Sequence, residues 1–334
     1  MMTKPQLNLL ALRLPRWARL CCIFAATVGL AGNAVAATDD MFPSPVYATL
    51  QGTGAVENAA TKQVHQGVEG AHYDAVSADG SRLLVSSKDH PEAYLLDARS
   101  GEKLATFEIG AVPQGVGISP DGRWGLALSA GDGTVSVIDI KQQKKVKTIA
   151  VGKAPHNVRF TADGKLAYVT LQGGDGVAVL DMNKQEKVGE FPVPGIKYPH
   201  NLDLTADGKT LWIRGFAGKV AAVDLASHKV LAVIPVGPSH AGIDVIPGGK
   251  YVVTGAIGGH QVDVIDPRTF KVVEHIEVGQ GPHGVRASRD GRWVYAGVVT
   301  TNKIAVIDTR TLSVVKQIPV AGKAPFWIAV VGND

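Results

Sequence analysis

Cysteine is nearly missing from this sequence: 334 residues hold two, the adjacent Cys21 and Cys22. Beyond them no thiolate is available as nucleophile or metal ligand, and no disulfide can staple the body of the chain. Aromatic residues make up only 6%. After residue 36 no apolar run is long enough to span a bilayer. An excess of one charge is missing too. The formal net charge of +4 resides in Lys4, Arg13, Arg16 and Arg19, in a stretch without acids, and the remainder is balanced. That balance excludes the broad basic surface that nucleic acid requires. There is no Gly-x-Ser-x-Gly elbow, no Walker-type loop and no His-Glu-x-x-His.

The first 36 residues read as a signal for export. A basic start leads into an apolar core over residues 20–31, and Ala34-Val35-Ala36 supplies small residues for cleavage. No Arg-Arg pair is present, which favours export of the unfolded chain by the general route. The expected location is periplasmic, with any cofactor acquired after export. Residues 37–45 are then a lead-in, and residues 46–334 form one domain.

What the chain has in abundance is repetition. Asp-Gly recurs at Asp79-Gly80, Asp121-Gly122, Asp163-Gly164, Asp207-Gly208 and Asp290-Gly291, with Gly248-Gly249 in the remaining slot. An Asp closes a β-branched run at Asp97, Asp139, Asp181, Asp224, Asp266 and Asp308. A repeat of about 42 residues cannot bury an apolar face alone, so its copies pack on one another. Each copy reads as four short strands joined by tight turns, with no helical periodicity. The loop before each first strand ends at His72, Gln114, His156, His200, His240, His283 and Phe326, which makes seven units. The last unit stops after its first strand. Tyr47-Ala48-Thr49-Leu50 matches Tyr168-Val169-Thr170-Leu171, so the N-terminal segment is expected to complete that unit. The expected fold is all-β: a seven-bladed β-propeller of four-stranded blades, closed by its two ends.

The segments Ala167-Tyr168-Val169-Thr170 and Val294-Tyr295-Ala296-Gly297, the Val-x-Val-Ile-Asp runs and the Gly-x-x-Pro-His lead-ins resemble the YVTN-repeat propellers. The resemblance covers nearly the whole body of the chain and implies seven blades. It leaves function open, since related families include lactonases, heme d1-associated proteins and surface-layer repeats.

Five histidines, His72, His156, His200, His240 and His283, occupy one place in five of seven units. In a propeller that place rings one mouth of the central channel. Converging neutral imidazoles without thiolate suit copper or zinc. Duplication can also copy a histidine whose part is only structural. Three or four positions on lie Arg159, Asp203, Asp244 and Arg286, each between apolar neighbours. A charge so placed must face the channel or pair with another charge. These four could bind a cofactor, orient the imidazoles or form a ladder between blades. Phe326 and Trp327 could stack on a planar ligand or only pack. The expected partners are a metal ion, metal-containing cofactor or small ligand in the mouth, and a periplasmic protein to which it could be delivered. An enzyme at the mouth, lactonase-like or oxidoreductase-associated, and a scaffold for protein contacts are the alternatives.

Overall fold

The computed structural model describes residues 40–333. The expected signal peptide therefore lies outside the described residues. Within them the regular structure is seven antiparallel sheets of four strands. No helix among the described residues is long and apolar enough to cross a membrane. The sheets are the seven expected blades.

One blade shows how sequence makes the unit. Its strands are Pro282–Ala287, Trp293–Val298, Lys303–Asp308 and Ser313–Pro319, from axis to rim. The inner two are buried along their whole length, because neighbouring blades cover both faces. The outer strand is mostly exposed, and only Ile318 is buried. Seven apolar clusters each sit between two adjacent blades. The core is thus a set of inter-blade seams, and no blade carries its own.

The turns on the face away from the histidines are fixed by local hydrogen bonds. In five blades a Ser or Thr hydroxyl donates to the turn Asp: Ser77 to Asp79, Ser119 to Asp121, Thr161 to Asp163, Thr205 to Asp207 and Ser288 to Asp290, at 2.5–2.7 Å. The same carboxylates accept a backbone N–H two residues on, from Ser81, Arg123, Lys165, Lys209 and Arg292. The Asp closing each third strand likewise accepts from the next turn, as Asp97 does from Arg99 and Ser100. These aspartates are accounted for by turn chemistry.

Ring closure follows the expected plan. Val46–Leu50 pairs with Pro325–Val330 on one side and with Ala55–Asn58 on the other. The outer strand of this shared blade is short, Val64–His65. Each inner strand packs on that of the next blade, and the last on the first. The lead-in adds to the seam: Trp293 Nε1 donates to the Asp40 carbonyl and Tyr295 Oη to that of Met41, both at 2.6 Å, while Phe42 stacks on Tyr295.

Glu57 fastens the shared blade to its neighbour. Its fully buried carboxylate accepts from Ala321 N at 2.6 Å and pairs with Lys62 Nζ at 2.8 Å, and the same ammonium donates to the Pro319 carbonyl. Glu57→Ala removes the acceptor shared by the Ala321 N–H and the Lys62 ammonium and is expected to cost about 1–3 kcal/mol. Glu57→Gln keeps an acceptor and should cost less. Urea midpoints of the two variants check this, and equal midpoints to wild type would remove Glu57 from the closure.

Candidate functional site

The approach to each inner strand has one backbone solution. Gly70, Val112, Ala154, Tyr198, Ser239, Gly281 and Ala324, just before the strand or its histidine, all have φ between 47° and 83°. For Val112 and Tyr198 that conformation is unfavourable, and it is held by the loop. It delivers His72, Gln114, His156, His200, His240, His283 and Phe326 to one level around the axis. Four of the histidines lie within or at the start of a strand. His240 does not, because its blade's inner strand is only Ile243–Val245.

The structure gathers all five histidines, together with aromatic residues. His156 and His200 have ring centroids 3.7 Å apart, His200 and His240 4.3 Å, and His240 and His283 5.3 Å. Phe326 stacks on His283 at 3.7 Å and lies 4.9 Å from His72. Phe326 therefore belongs to the cluster that it seemed to interrupt. Ligand atoms of His200, His240 and His283 lie within 4.8 Å of one another. His72 and His156 are not in that trio.

Hydrogen bonds assign the ring nitrogens. Nδ1 of His156 meets the His200 carbonyl at 3.0 Å, and Nδ1 of His283 meets the Phe326 carbonyl at 2.9 Å. A carbonyl only accepts, so both rings carry the proton on Nδ1 and present an Nε2 lone pair. Nε2 of His283 is buried with no partner. His200 is the reverse. The Asn201 amide donates to its Nδ1 at 2.8 Å, which puts the proton on Nε2. Asn201 also donates to the Ala241 carbonyl at 2.7 Å and accepts from Asn157 Nδ2, so its orientation is fixed.

Burial holds the imidazoles neutral. Desolvation lowers His72 and His240 to about 4 and His156 to about 3, and it takes His200 and His283 well below the ordinary value. The neighbouring imidazoles act in the same direction on all but His240, where Arg214 adds to the lowering.

Beneath the histidines the channel is filled. The next residue in each blade is Tyr73, Gly115, Asn157, Asn201, Ala241, Gly284 or Trp327. Tyr73 crosses the axis, with its ring 4.6 Å from Trp327, 5.6 Å from His156 and 6.4 Å from His283. Glycine is required opposite the large rings: a Cβ on Gly284 would lie 2.7 Å from Trp327 Cα. Sequence reasoning missed Tyr73. The signal available was a lone aromatic at a position held elsewhere by Asn, Gly or Ala, apart from Trp327.

The four charges lie deeper and are committed to one another. Arg286 Nη1 pairs with Asp244 at 2.6 Å and Arg159 Nε with Asp203 at 3.5 Å, each across neighbouring blades. Asp203 also accepts from Val245 N and Asp244 from Ala287 N, both at 2.7 Å. Burial pushes both carboxyls up; the Asp203 charge raises Asp244 further, while the Ala287 N–H and the Arg159 charge oppose it. Among the readings open for these residues, the geometry is that of the ladder. Of the remaining histidines, His90 and His260 are exposed, His90 within 3.1 Å of Glu69. His65 is buried against the Ala98 carbonyl, and His275 meets the buried Asp263 at 2.5 Å.

The rim above the histidines exposes aromatic surface. Tyr198 is 57% exposed and Phe216 39%, and Phe216 stacks on His240 at 4.1 Å. One face thus offers neutral imidazoles, an unpartnered lone pair and exposed rings.

Comparison with known proteins gives the following. A family model described as cytochrome D1 heme domain matches residues 78–201, 165–282 and 260–325 in overlapping segments. No curated protein matches the chain. Among solved structures, hydrazine synthase of Kuenenia stuttgartiensis is similar with a TM-score of 0.72 at 22% identity, over 79% of this chain and 90% of that one. A functionally unknown protein from Desulfotomaculum acetoxidans gives 0.74 at 14%, over 87% and 100%. Dihydro-heme d1 dehydrogenase NirN in complex with DHE gives 0.61 at 17%, over 87% and 76%. At these identities the three structures establish likeness of fold.

The depressed histidines make stability depend on pH. Their folded values lie below the ordinary 6.5, so between about 4 and 6.5 the unfolded chain binds more protons. Stability is then full above pH 6.5 and falls as the pH drops through that window. Melting temperature measured from pH 7.5 to 4 should decline steeply, and His156→Gln/His200→Gln should flatten the decline. A flat wild-type profile would mean that the rings are charged or hydrated.

Proposed function

The chain belongs to the cytochrome D1 heme domain family, and from that premise we propose that it is an exported propeller that binds a heme-type cofactor at the histidine-ringed mouth. Within that family we read its strands as YVTN-like repeats. The basic, apolar and small-residue pattern of residues 1–36 supports export to the periplasm. The observation that carries the cofactor reading is the cluster of neutral imidazoles, with Nε2 of His283 buried and unpartnered.

The donor chemistry fits a metal-bearing macrocycle: neutral nitrogen ligands, no thiolate, and a dry surround. The imidazoles touch one another, so the side open to a macrocycle is the rim, where Phe216 and Tyr198 are exposed. His240 is the ring that would hold the metal. It is partly exposed, lies outside the strand ladder and stacks on Phe216. His283 and His200 back it, and Phe216 and Tyr198 offer stacking surface. When bound, such a group supplies electron transfer and ligand binding at its metal. The protein's part is to keep water from below with Tyr73 and Trp327, and to keep the rings neutral.

A second reading is a bare copper or zinc ion held by His200, His240 and His283, whose ligand atoms converge. His200 opposes it, since Asn201 donates to its Nδ1 and the proton sits on Nε2, so neither nitrogen offers a free lone pair.

Titration of the purified protein with ferric heme, followed by absorbance, separates the two. Stoichiometric binding with a shifted Soret band is expected, weakened about 10- to 100-fold by His240→Ala. An unchanged spectrum would sink the heme reading. Calorimetry with Cu(II) and Zn(II) tests the other. Tight binding lost on removing any one of the three histidines would establish the bare-ion site.

A further inference from the structure

Arg214 is out of pattern. The other blades place Thr49, Ser86, Leu128, Thr170, Gly255 or Gly297 at its position in the second strand. Thr49 and Thr170 donate there to the carbonyls of His72 and His200 in the next blade. At Gly255 and Gly297 a Cβ would come within 2.7 Å and 2.4 Å of a backbone oxygen of the next blade. Arginine fits because the next inner strand is drawn back: only Ile243–Val245 pairs in that blade, so the segment around His240 leaves room.

The guanidinium is fully buried and only partly used. Nη2 donates to the carbonyls of Gly237 and Ser239, at 2.8 and 3.1 Å. Nε and Nη1 have no partner. The nearby acid is Asp263, but its oxygens already accept from Gly237 N, Gln261 Nε2 and His275 Nδ1. Burial lowers Arg214 to about 10, with Asp263 opposing. A buried cation with idle donors is costly, and an anion relieves that cost. The neighbouring His240, on which the Arg214 charge acts, is partly exposed and stacks on the exposed Phe216, so the side nearest solvent is the His240 side.

We propose that Arg214 is the recognition residue for a carboxylate-type anion entering beside His240, through the donors Nε and Nη1. The anion is a carboxylate substituent of the bound macrocycle or a free small oxyanion. The inference rests on the mouth being a ligand site, and it does not require that the ligand be a heme.

The test compares wild type with Arg214→Thr, the residue of two other blades, and Arg214→Lys, which keeps the charge without the fork. Each is titrated with ferric protoporphyrin IX and with its dimethyl ester, whose carboxylates are blocked. Each is also melted with formate or inorganic phosphate against chloride of equal ionic strength. A wild-type preference of about 10- to 100-fold for the free acid, lost in Arg214→Thr, assigns the anion to the macrocycle. No such preference, with formate or phosphate raising the melting temperature of wild type alone, assigns it to a free oxyanion. Survival of both effects in Arg214→Thr overturns the proposal, and so does their absence from wild type. Should the threonine variant fail to fold, Arg214→Lys serves the same comparison, with a loss of about tenfold expected. Failure of heme to bind at all refutes the cofactor reading, while the formate and phosphate melts still judge Arg214.

Discussion

Everything at the mouth depends on one hydrogen-bonded seam, the pairing of Val46–Leu50 with Pro325–Val330. The apolar seams lie between blades, so an open ring would leave two blade faces without partners. The histidines come from blades far apart in sequence and meet only because the ring is complete. Trp327 N donates to Thr49 Oγ1, and Thr49 donates to the His72 carbonyl. The closing strand thus reaches the cluster through two hydrogen bonds.

The cluster sets two demands against each other. Packing rings together and covering them from below excludes water, which keeps the imidazoles neutral and leaves the lone pair on Nε2 of His283 free. The same packing leaves polar atoms unsatisfied, among them Nε2 of His283, Tyr73 Oη and two nitrogens of Arg214. Such atoms cost stability, and a fold keeps them where a ligand repays the cost. Those of His72, Tyr73, His283 and Arg214 lie at the histidine end of the channel, whereas the turns of the opposite face satisfy their groups locally.

Much of this was legible in the chain. Asp-Gly spacing gave the turns, the β-branched runs gave the third strands, and the repeated histidine position gave the ring. Those signals are local and recur, so each copy supports the others. Residues that act once were harder to read. Tyr73, like Trp327, breaks a column of Gly, Ala and Asn, Arg214 breaks a column of smaller residues, and what each break does depends on the neighbouring blade. The pairing of Arg159 with Asp203 and of Arg286 with Asp244 likewise needs the register between blades, which no strand pattern contains. His240 looked like its four counterparts, but a shortened inner strand sets it apart.

The filled interior has a consequence for traffic. Tyr73 and Trp327 block the axis, and the Arg–Asp pairs bind neighbouring blades below them. No straight path runs along the axis past these rings. A ligand held at the histidine face, as proposed above, would have to arrive and depart on that same face, so a protein covering it would close the one route in and out.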